Sequence, residues 1–256
     1  MSGAVADAPL FTYTLRLADN ALILGHRLSE WIGHAPLLEE ELALGNIALD
    51  LIGEARALYT YAGAIEGQGR DEDALAYRRD AGDFHNILLV EQPNGDFAAT
   101  IVRQFLYAAF MEPFWRALGH SRDATLAAIA AKSQKETAYH RRHAGEWLIR
   151  LGDGTEESHD RASAALAELW PYTAELFAVD DLIESLTAEG VAPDPAILQA
   201  RWSEQVEAVL SEAGLGVAPT ETWRPTGGRA GLHTEALGYL LAEMQSVHRA
   251  YPGATW

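Results

Sequence analysis

The stretch that decides the fold occupies residues 126–151 and reads LAAIAAKSQKETAYHRRHAGEWLIRL. Seven of its positions recur at steps of three and four: Ile129, Ser133, Glu136, His140, Ala144, Trp147 and Leu151. This spacing predicts one face of a long helix that is turned toward a core. We therefore expect the side chains of Glu136 and His140 to point inward. A buried carboxylate is costly unless it is paired, hydrogen-bonded or bound to metal, so the function depends on which of these holds here.

Composition restricts the classes of protein to which the chain can belong. It has 256 residues, 48% of them hydrophobic, and a formal net charge of −18, which disfavours binding to nucleic acid and to anionic membranes. The absence of cysteine excludes disulfides, thiol nucleophiles and cysteine-ligated metals. Residues 1–10 lack the features of a signal peptide, and no apolar run reaches the ~18 residues of a membrane span. We expect a cytoplasmic protein.

Helical periodicity predicts four long helices, at about 13–32, 37–65, 97–118 and 122–151. The second of these carries two stripes, one of Leu38, Leu42, Gly45, Leu49 and Ile52 and another of Ala43, Asn46, Asp50, Gly53 and Ala57. Two stripes predict burial on two sides. The connection 66–96 is too long for an ordinary helix–helix loop. Two helices, a long crossover and two more helices are typical of a ferritin-like bundle, whereas an up-down-up-down bundle needs only a short loop here.

Beyond the bundle, helical patterns continue at 155–178, 180–189, 196–213 and 234–251, and residues 219–233 read as a loop. No convincing strand pattern interrupts them. The sequence therefore predicts an all-α protein with one ferritin-like domain over residues 1–256. Its core bundle spans about 13–151, and a C-terminal helical extension spans about 152–256.

Polar residues meet at one height of this predicted bundle. Glu136 and Gln104 are equally far from the turn near residue 120, and Asp50 and Asp19 lie at matching distances from the turn near residue 34. A ferritin-like di-iron centre needs a Glu from each of two helices and a Glu-x-x-His motif from each of the other two. The positions therefore coincide with the height at which such a centre would bind metal.

The ligand set at this height is incomplete. Gln104 offers a neutral amide, Tyr139 stands where the histidine after Glu136 is required, and Gly53 stands where the histidine after Asp50 is required. His140 comes one residue too late, a rotation of ~100° around the helix. We predict a degenerate layer without metal, catalytic or cofactor-binding residues. An alternative is that Glu136 and His140 form a buried pair four residues apart.

Four stretches together resemble one known family. They are NIALDLIGEAR at 46–56, LLVEQPNGDFA at 88–98, KETAYH at 135–140, and GLHTE at 231–235 with LAEMQ at 241–245. They resemble the C subunit of phenylacetyl-CoA epoxidase, the multicomponent monooxygenase of aerobic phenylacetate degradation. The similarity runs in order through most of the chain, from about residue 13 to residue 256.

The resemblance implies a structural subunit that lacks its own di-iron centre. Whether the chain alone is an enzyme stays open, and it is expected to act as part of an oxygenase complex. In that family a homologous catalytic A subunit holds the iron and binds phenylacetyl-CoA. A reductase with flavin and an iron–sulfur cluster supplies electrons from NADPH, and the product is the ring 1,2-epoxide. No catalytic residue carries over to this chain.

Two other functions remain open at this stage. The first is an independent di-iron or di-manganese enzyme that uses Asp19, Asp50, Glu136 and His140. The second is a helical binding protein with a pocket in the bundle. For the structural subunit we expect an apolar helical surface against the catalytic subunit and self-association when alone. The closing segment adds the aromatic residues Trp202, Trp223, Tyr239 and Trp256 as interface candidates. Alternatively, the helices after residue 155 cover the second long helix within one chain.

Overall fold

The computed structural model describes residues 7–216 and 223–254, and within these ranges all regular structure is helical. In chain order the α-helices are α1 (Ala8–Ser29), α2 (Leu38–Glu66), α3 (Glu72–Tyr77), α4 (Leu88–Glu91), α5 (Phe97–Leu118), α6 (Ala124–Gly152), α7 (Glu156–Leu169), α8 (Asp181–Ala188), α9 (Pro195–Glu212), α10 (Glu235–Met244) and α11 (Ser246–Ala250). Short 3₁₀ helices occupy Ala81–Asp83, Trp170–Phe177 and Gly228–Ala230. The four long helices expected from the sequence are α1, α2, α5 and α6.

Local signals explain where these long helices begin and end. The carboxylates of Asp7, Asp96 and Asp123 accept hydrogen bonds from backbone N–H groups in the first turns of α1, α5 and α6. Such caps satisfy donors that have no partner within the helix. Gly67 ends α2 in the left-handed conformation, with φ of 66°, which a glycine adopts without strain.

The chain forms two compact units. The first contains residues 7–93 and 227–254, and the second contains residues 94–216 and 223–226. In the first unit α1 pairs with α2, and α10 packs near α1. In the second unit α5 pairs with α6 and also contacts α7 and α9. The single domain expected from the sequence stays a prediction.

The buried face of α2 differs from both predicted stripes. The residues it buries are Leu44, Ile47, Ala48, Leu51, Glu54, Ala55, Leu58, Tyr59, Ala62 and Glu66. Leu38, Leu42 and Leu49 of the first stripe are exposed, and Asn46 and Ala57 of the second are exposed as well. Within the described chain α2 therefore buries one side, which matches neither stripe, and burial of a second side against a partner stays a prediction. The rotation of a helix is set by what packs against it, and α2 has apolar residues on more than one face.

The aromatic residues of the closing segment have different environments. Trp202 is buried in the second unit, where its indole N–H donates to the carbonyl of Leu106 at 3.0 Å. Its side chain therefore belongs to the core of that unit and is not exposed to a partner. Trp223 and Tyr239 are exposed. Trp256 lies outside the described residues.

Candidate functional site

Asp19 of α1, the first residue of the predicted metal layer, is fully buried, and all its acceptor positions are used. Its Oδ1 accepts from the hydroxyl of Tyr59 at 2.5 Å and from Nη2 of Arg79. Its Oδ2 accepts from Nη1 of Arg79 at 3.1 Å and from the backbone N–H of His85 at 2.7 Å. A carboxylate offers about four lone-pair positions, two on each oxygen. No position remains with which Asp19 could bind a metal ion.

Arg79 is the positively charged partner of Asp19 in this buried setting. Its guanidinium also donates to the carbonyl of Leu75 at 2.5 Å and that of Asp83 at 2.8 Å, and it lies over the ring of Phe84 at 4.2 Å. Burial raises the pKa of the Tyr59 hydroxyl well above its ordinary value, and the Asp19 charge adds to this effect. The phenol therefore remains a hydrogen-bond donor at all ordinary pH values.

The remaining positions of the first unit do not provide the expected ligand either. Asp50 is half-buried on α2, whereas Glu54, one turn later, is buried. Near the predicted height, the acidic residue that α2 buries is thus Glu54, which the matching-height argument missed. Its place in the stretch 46–56 was the only sequence signal that pointed to it.

The second unit contributes Gln104 from α5. It is fully buried, and neither atom of its amide has a hydrogen-bond partner within hydrogen-bonding distance in the described chain. A neutral amide is a weak ligand for iron, which in these bundles is bound by carboxylates and imidazoles. Gln104 therefore does not replace the missing Glu.

The inward orientation expected for Glu136 of α6 is wrong. Its side chain is 26% exposed and pairs with Lys132 at 3.5 Å, while Thr137 is buried in its place. His140 is buried as expected, and Tyr139 is 39% exposed. The buried line of α6 contains Leu126, Ala130, Ser133, Thr137, His140, Ala144 and Leu148. It shares Ser133, His140 and Ala144 with the predicted stripe, so the buried face is the predicted face rotated by about 50°, which is roughly half of one residue step.

Within residues 7–216 and 223–254, no three or more His, Asp or Glu side chains group in a way that could hold a metal ion. The donor chemistry of the individual residues agrees with this finding. Asp19 is saturated by hydrogen bonds, Gln104 is neutral, and Glu136 lies at the solvent boundary with a lysine. Four carboxylates and two histidines are not available, so the set does not fit a di-iron centre.

A second buried cluster in the first unit surrounds Glu91 of α4. Its Oε1 accepts from the backbone N–H and the hydroxyl of Thr234, at 2.7 and 2.8 Å. Its Oε2 lies 2.7 Å from Nδ1 of His233 and accepts from the amide of Asn86 at 2.8 Å. This carboxylate is likewise surrounded by four donors. The cluster ties the segment before α10 to α4, which lies far from it in sequence.

His233 is held between two acceptors, and this sets its protonation state. Its Nδ1 faces Glu91, and its Nε2 lies 2.9 Å from the carbonyl of Phe84. Both ring nitrogens must carry a proton to satisfy these contacts, and only the imidazolium does so. Burial disfavours this charge, but the hydrogen bonds and charge of Glu91 and the carbonyl of Phe84 outweigh it and raise the pKa of His233.

Comparison with known proteins identifies the family. The model of the family "Phenylacetic acid catabolic protein" matches residues 1–256. The chain belongs to this family. A relative from Escherichia coli strain K12, named as the C subunit of 1,2-phenylacetyl-CoA epoxidase, is 51% identical over 247 residues, which cover 96% of this chain and 99% of the relative.

One solved structure has the same fold as this chain. It is named "Protein 19 with aldehyde deformylating oxidase activity from Synechococcus", and it superposes with a TM-score of 0.55 and 22% sequence identity. The alignment covers 84% of this chain and 95% of that one. This likeness confirms the predicted all-α, ferritin-like fold. No described helix has the length and hydropathy that are needed to cross a membrane.

Two of the stretches that carried the family resemblance meet at Glu91. Residues 88–98 provide Glu91 itself, and residues 231–235 provide His233 and Thr234. Sequence spacing assigned no partner to His233 because 142 positions separate it from Glu91. The signal that pointed to the pair was its presence in two of the four quoted stretches. In this family member both stretches build a structural clamp.

Proposed function

We propose that this chain is a non-catalytic, structural subunit of a multicomponent di-iron monooxygenase that epoxidises the ring of phenylacetyl-CoA in phenylacetate degradation. The proposal rests on the relative named as the C subunit of 1,2-phenylacetyl-CoA epoxidase, which is 51% identical over nearly the full length of both chains. At this identity and coverage the same assembly is the simplest role for this chain.

One structural observation supports the non-catalytic part of the proposal. In a di-iron bundle α1 has to supply a carboxylate with free lone pairs. Here the buried acid of α1, Asp19, accepts two hydrogen bonds on each oxygen, from Tyr59, Arg79 and His85. A metal ion at Asp19 would have to displace a buried arginine. The same observation disfavours the independent di-metal enzyme.

The chemistry then belongs to other subunits. In this proposal a catalytic subunit holds the di-iron centre and phenylacetyl-CoA, and a reductase with flavin and an iron–sulfur cluster delivers electrons from NADPH. The present chain binds the catalytic subunit and supports the assembly of that subunit. When alone, it self-associates. A free-standing helical binding protein is the remaining alternative, and it predicts no stable complex with the catalytic subunit.

The test is co-expression with the catalytic subunit and the reductase, followed by measurement of phenylacetyl-CoA epoxidation with and without this chain. We expect turnover to need the chain, and the purified chain to contain no stoichiometric iron. Glu136→Gln should leave turnover within about twofold, because Glu136 pairs with Lys132 at the solvent boundary. About two irons per isolated chain, or full turnover without it, would contradict the proposal.

A further inference from the structure

One side of α6, up to the residue that caps its end, carries a regular stripe of accessible residues. The stripe consists of Lys135, Tyr139, Arg142, Glu146, Ile149 and Asp153, which follow one another at alternating steps of four and three. This spacing places them on one side of the helix, as in the seam along which two helices pair. Ile149 is half-buried, and the other five are exposed. These six residues are called the α6 stripe below.

The first half of the α6 stripe is basic. Lys135 and Arg142 are exposed, and within the described chain neither forms an ion pair with a carboxylate. The guanidinium of Arg142 instead lies over the ring of Tyr139, 5.7 Å from the ring centroid. Tyr139 is itself 39% exposed, so this half presents two cations beside an accessible aromatic ring. Both positive charges are available to groups outside the chain.

The second half of the α6 stripe is acidic. Glu146 and Asp153 are exposed, and Asp153 has no ion pair with a residue that the structure describes. Glu146 lies 3.8 Å from a guanidinium nitrogen of Arg150, and an ion pair of this length between two exposed side chains contributes little. One side of one helix therefore offers two cations toward its middle and two carboxylates toward its end.

These two halves are complementary when two copies of α6 run antiparallel. A two-fold axis level with residue 144 is equally far from Arg142 and Glu146, so each arginine faces the glutamate of the other copy. Lys135 and Asp153 are also equally far from this axis and face each other in the same way. A two-fold interface repeats every contact, so each of the four charges of the α6 stripe gains an opposite partner in both copies.

Other arrangements of two copies lose part of this complementarity. A parallel pair would set Lys135 against Lys135 and Arg142 against Arg142, and like charges at an interface oppose association. Moving the antiparallel axis to a point between residues 140 and 141 would pair Lys135 with Glu146. That register would leave Asp153 opposite Ala128, without a cation. The axis level with residue 144 is therefore the arrangement that the charges favour.

We propose that two copies of the isolated chain pair through the α6 stripe, antiparallel about this axis, with Tyr139 of each copy packed on Ile149 of the other. The inference rests on the proposed function in one respect, because that function includes self-association of the chain when alone. It adds the surface and the register. Exposed ion pairs contribute little individually, and each copy carries a formal net charge of −18. The dimer should therefore exchange with the monomer in a concentration-dependent way.

The main test exchanges the two charges nearest the axis. Arg142→Glu sets two glutamates against each other, and Glu146→Arg sets two arginines against each other. Each single variant should raise the dimer Kd at least ~10-fold in sedimentation at ~0.15 M salt, where long-range repulsion between the copies is screened. The double variant restores opposite charges and should return the Kd to within about threefold of that of the unaltered chain. A double variant as weak as the single ones would overturn the inference.

Two further variants control for the change in net charge. Arg201→Glu and Glu204→Arg make the same charge changes at exposed positions of α9, and neither should alter the dimer Kd. Circular dichroism should show the same helix content and thermal midpoint in all variants. An unaltered chain that stays monomeric over the whole concentration series, or a dimer that tolerates both single variants in α6, would contradict the proposed surface.

The same variants separate this inference from the proposed function. If they leave self-association unchanged but weaken the complex with the catalytic subunit, the α6 stripe binds that subunit and the inference is wrong. If they leave both unchanged and turnover still needs the chain, the function stands and only the assignment of the α6 stripe is wrong. If turnover does not need the chain while the charge exchange restores the dimer, the dimer stands and the proposed function is wrong.

Discussion

The substitution Asp19→Asn tests whether the buried acid of α1 is structural. It removes the negative charge opposite Arg79 and replaces one carboxylate oxygen with an NH₂ group. This NH₂ group is itself a donor and would point at other donors. Four hydrogen bonds converge on this carboxylate, so at least two donors lose their acceptor. Breaking a buried ion pair by removing one partner costs about 3–5 kcal/mol. We expect the free energy of unfolding to fall by about this amount.

The assay is urea unfolding of the isolated chain, followed by tryptophan fluorescence and circular dichroism. The control is Asp160→Asn, whose carboxylate is exposed, and it should change the free energy of unfolding by less than about 0.5 kcal/mol. A double variant, Asp19→Leu with Arg79→Met, removes both charges and should be less destabilised than Asp19→Asn.

A metal ligand would behave in the opposite way. In a metal-free site the ligand carboxylates repel one another, so neutralising one of them relieves repulsion and stabilises the chain. An Asp19→Asn variant that is as stable as the unaltered chain, or more stable, would therefore refute the structural interpretation of Asp19.

Two further predictions concern other parts of the fold. The raised pKa of His233 means that its contact with Glu91 contributes stability fully below the unfolded pKa of about 6.5 and loses it as the pH rises through the folded value. The thermal midpoint should accordingly fall over this range in the unaltered chain, and His233→Gln should lack that part of the pH dependence. Gly152→Ala should destabilise the chain by about 1–3 kcal/mol, because its Cβ would lie 2.2 Å from the carbonyl of Ala213. Gly45→Ala, a helix glycine with open space around it, should instead stabilise it by about 0.5–1 kcal/mol, and equal effects of the two in thermal unfolding would contradict this reasoning.

The sequence by itself determined the helices and their order. The expected core helices at 13–32, 37–65, 97–118 and 122–151 agree with Ala8–Ser29, Leu38–Glu66, Phe97–Leu118 and Ala124–Gly152 to within a few residues, apart from the start and end of the first. These boundaries are local. Asp96 and Asp123 cap the turns that follow them directly, and Gly67 ends α2 through its own backbone conformation. The long connection between the helix pairs was equally visible, because length and turn residues are properties of a short segment.

Only the tertiary structure decided which side of each helix is buried and which residues meet. On α6 a rotation of one residue position separates Glu136, at the solvent boundary, from Thr137, which is buried. A helix with apolar residues on several faces, such as α2, carries no local signal that chooses between them. The partners of Asp19 show the same limit, since 40 and 60 positions separate it from Tyr59 and Arg79. Sequence periodicity reports the face of a helix only approximately, and contacts between distant segments depend on packing that no single segment encodes.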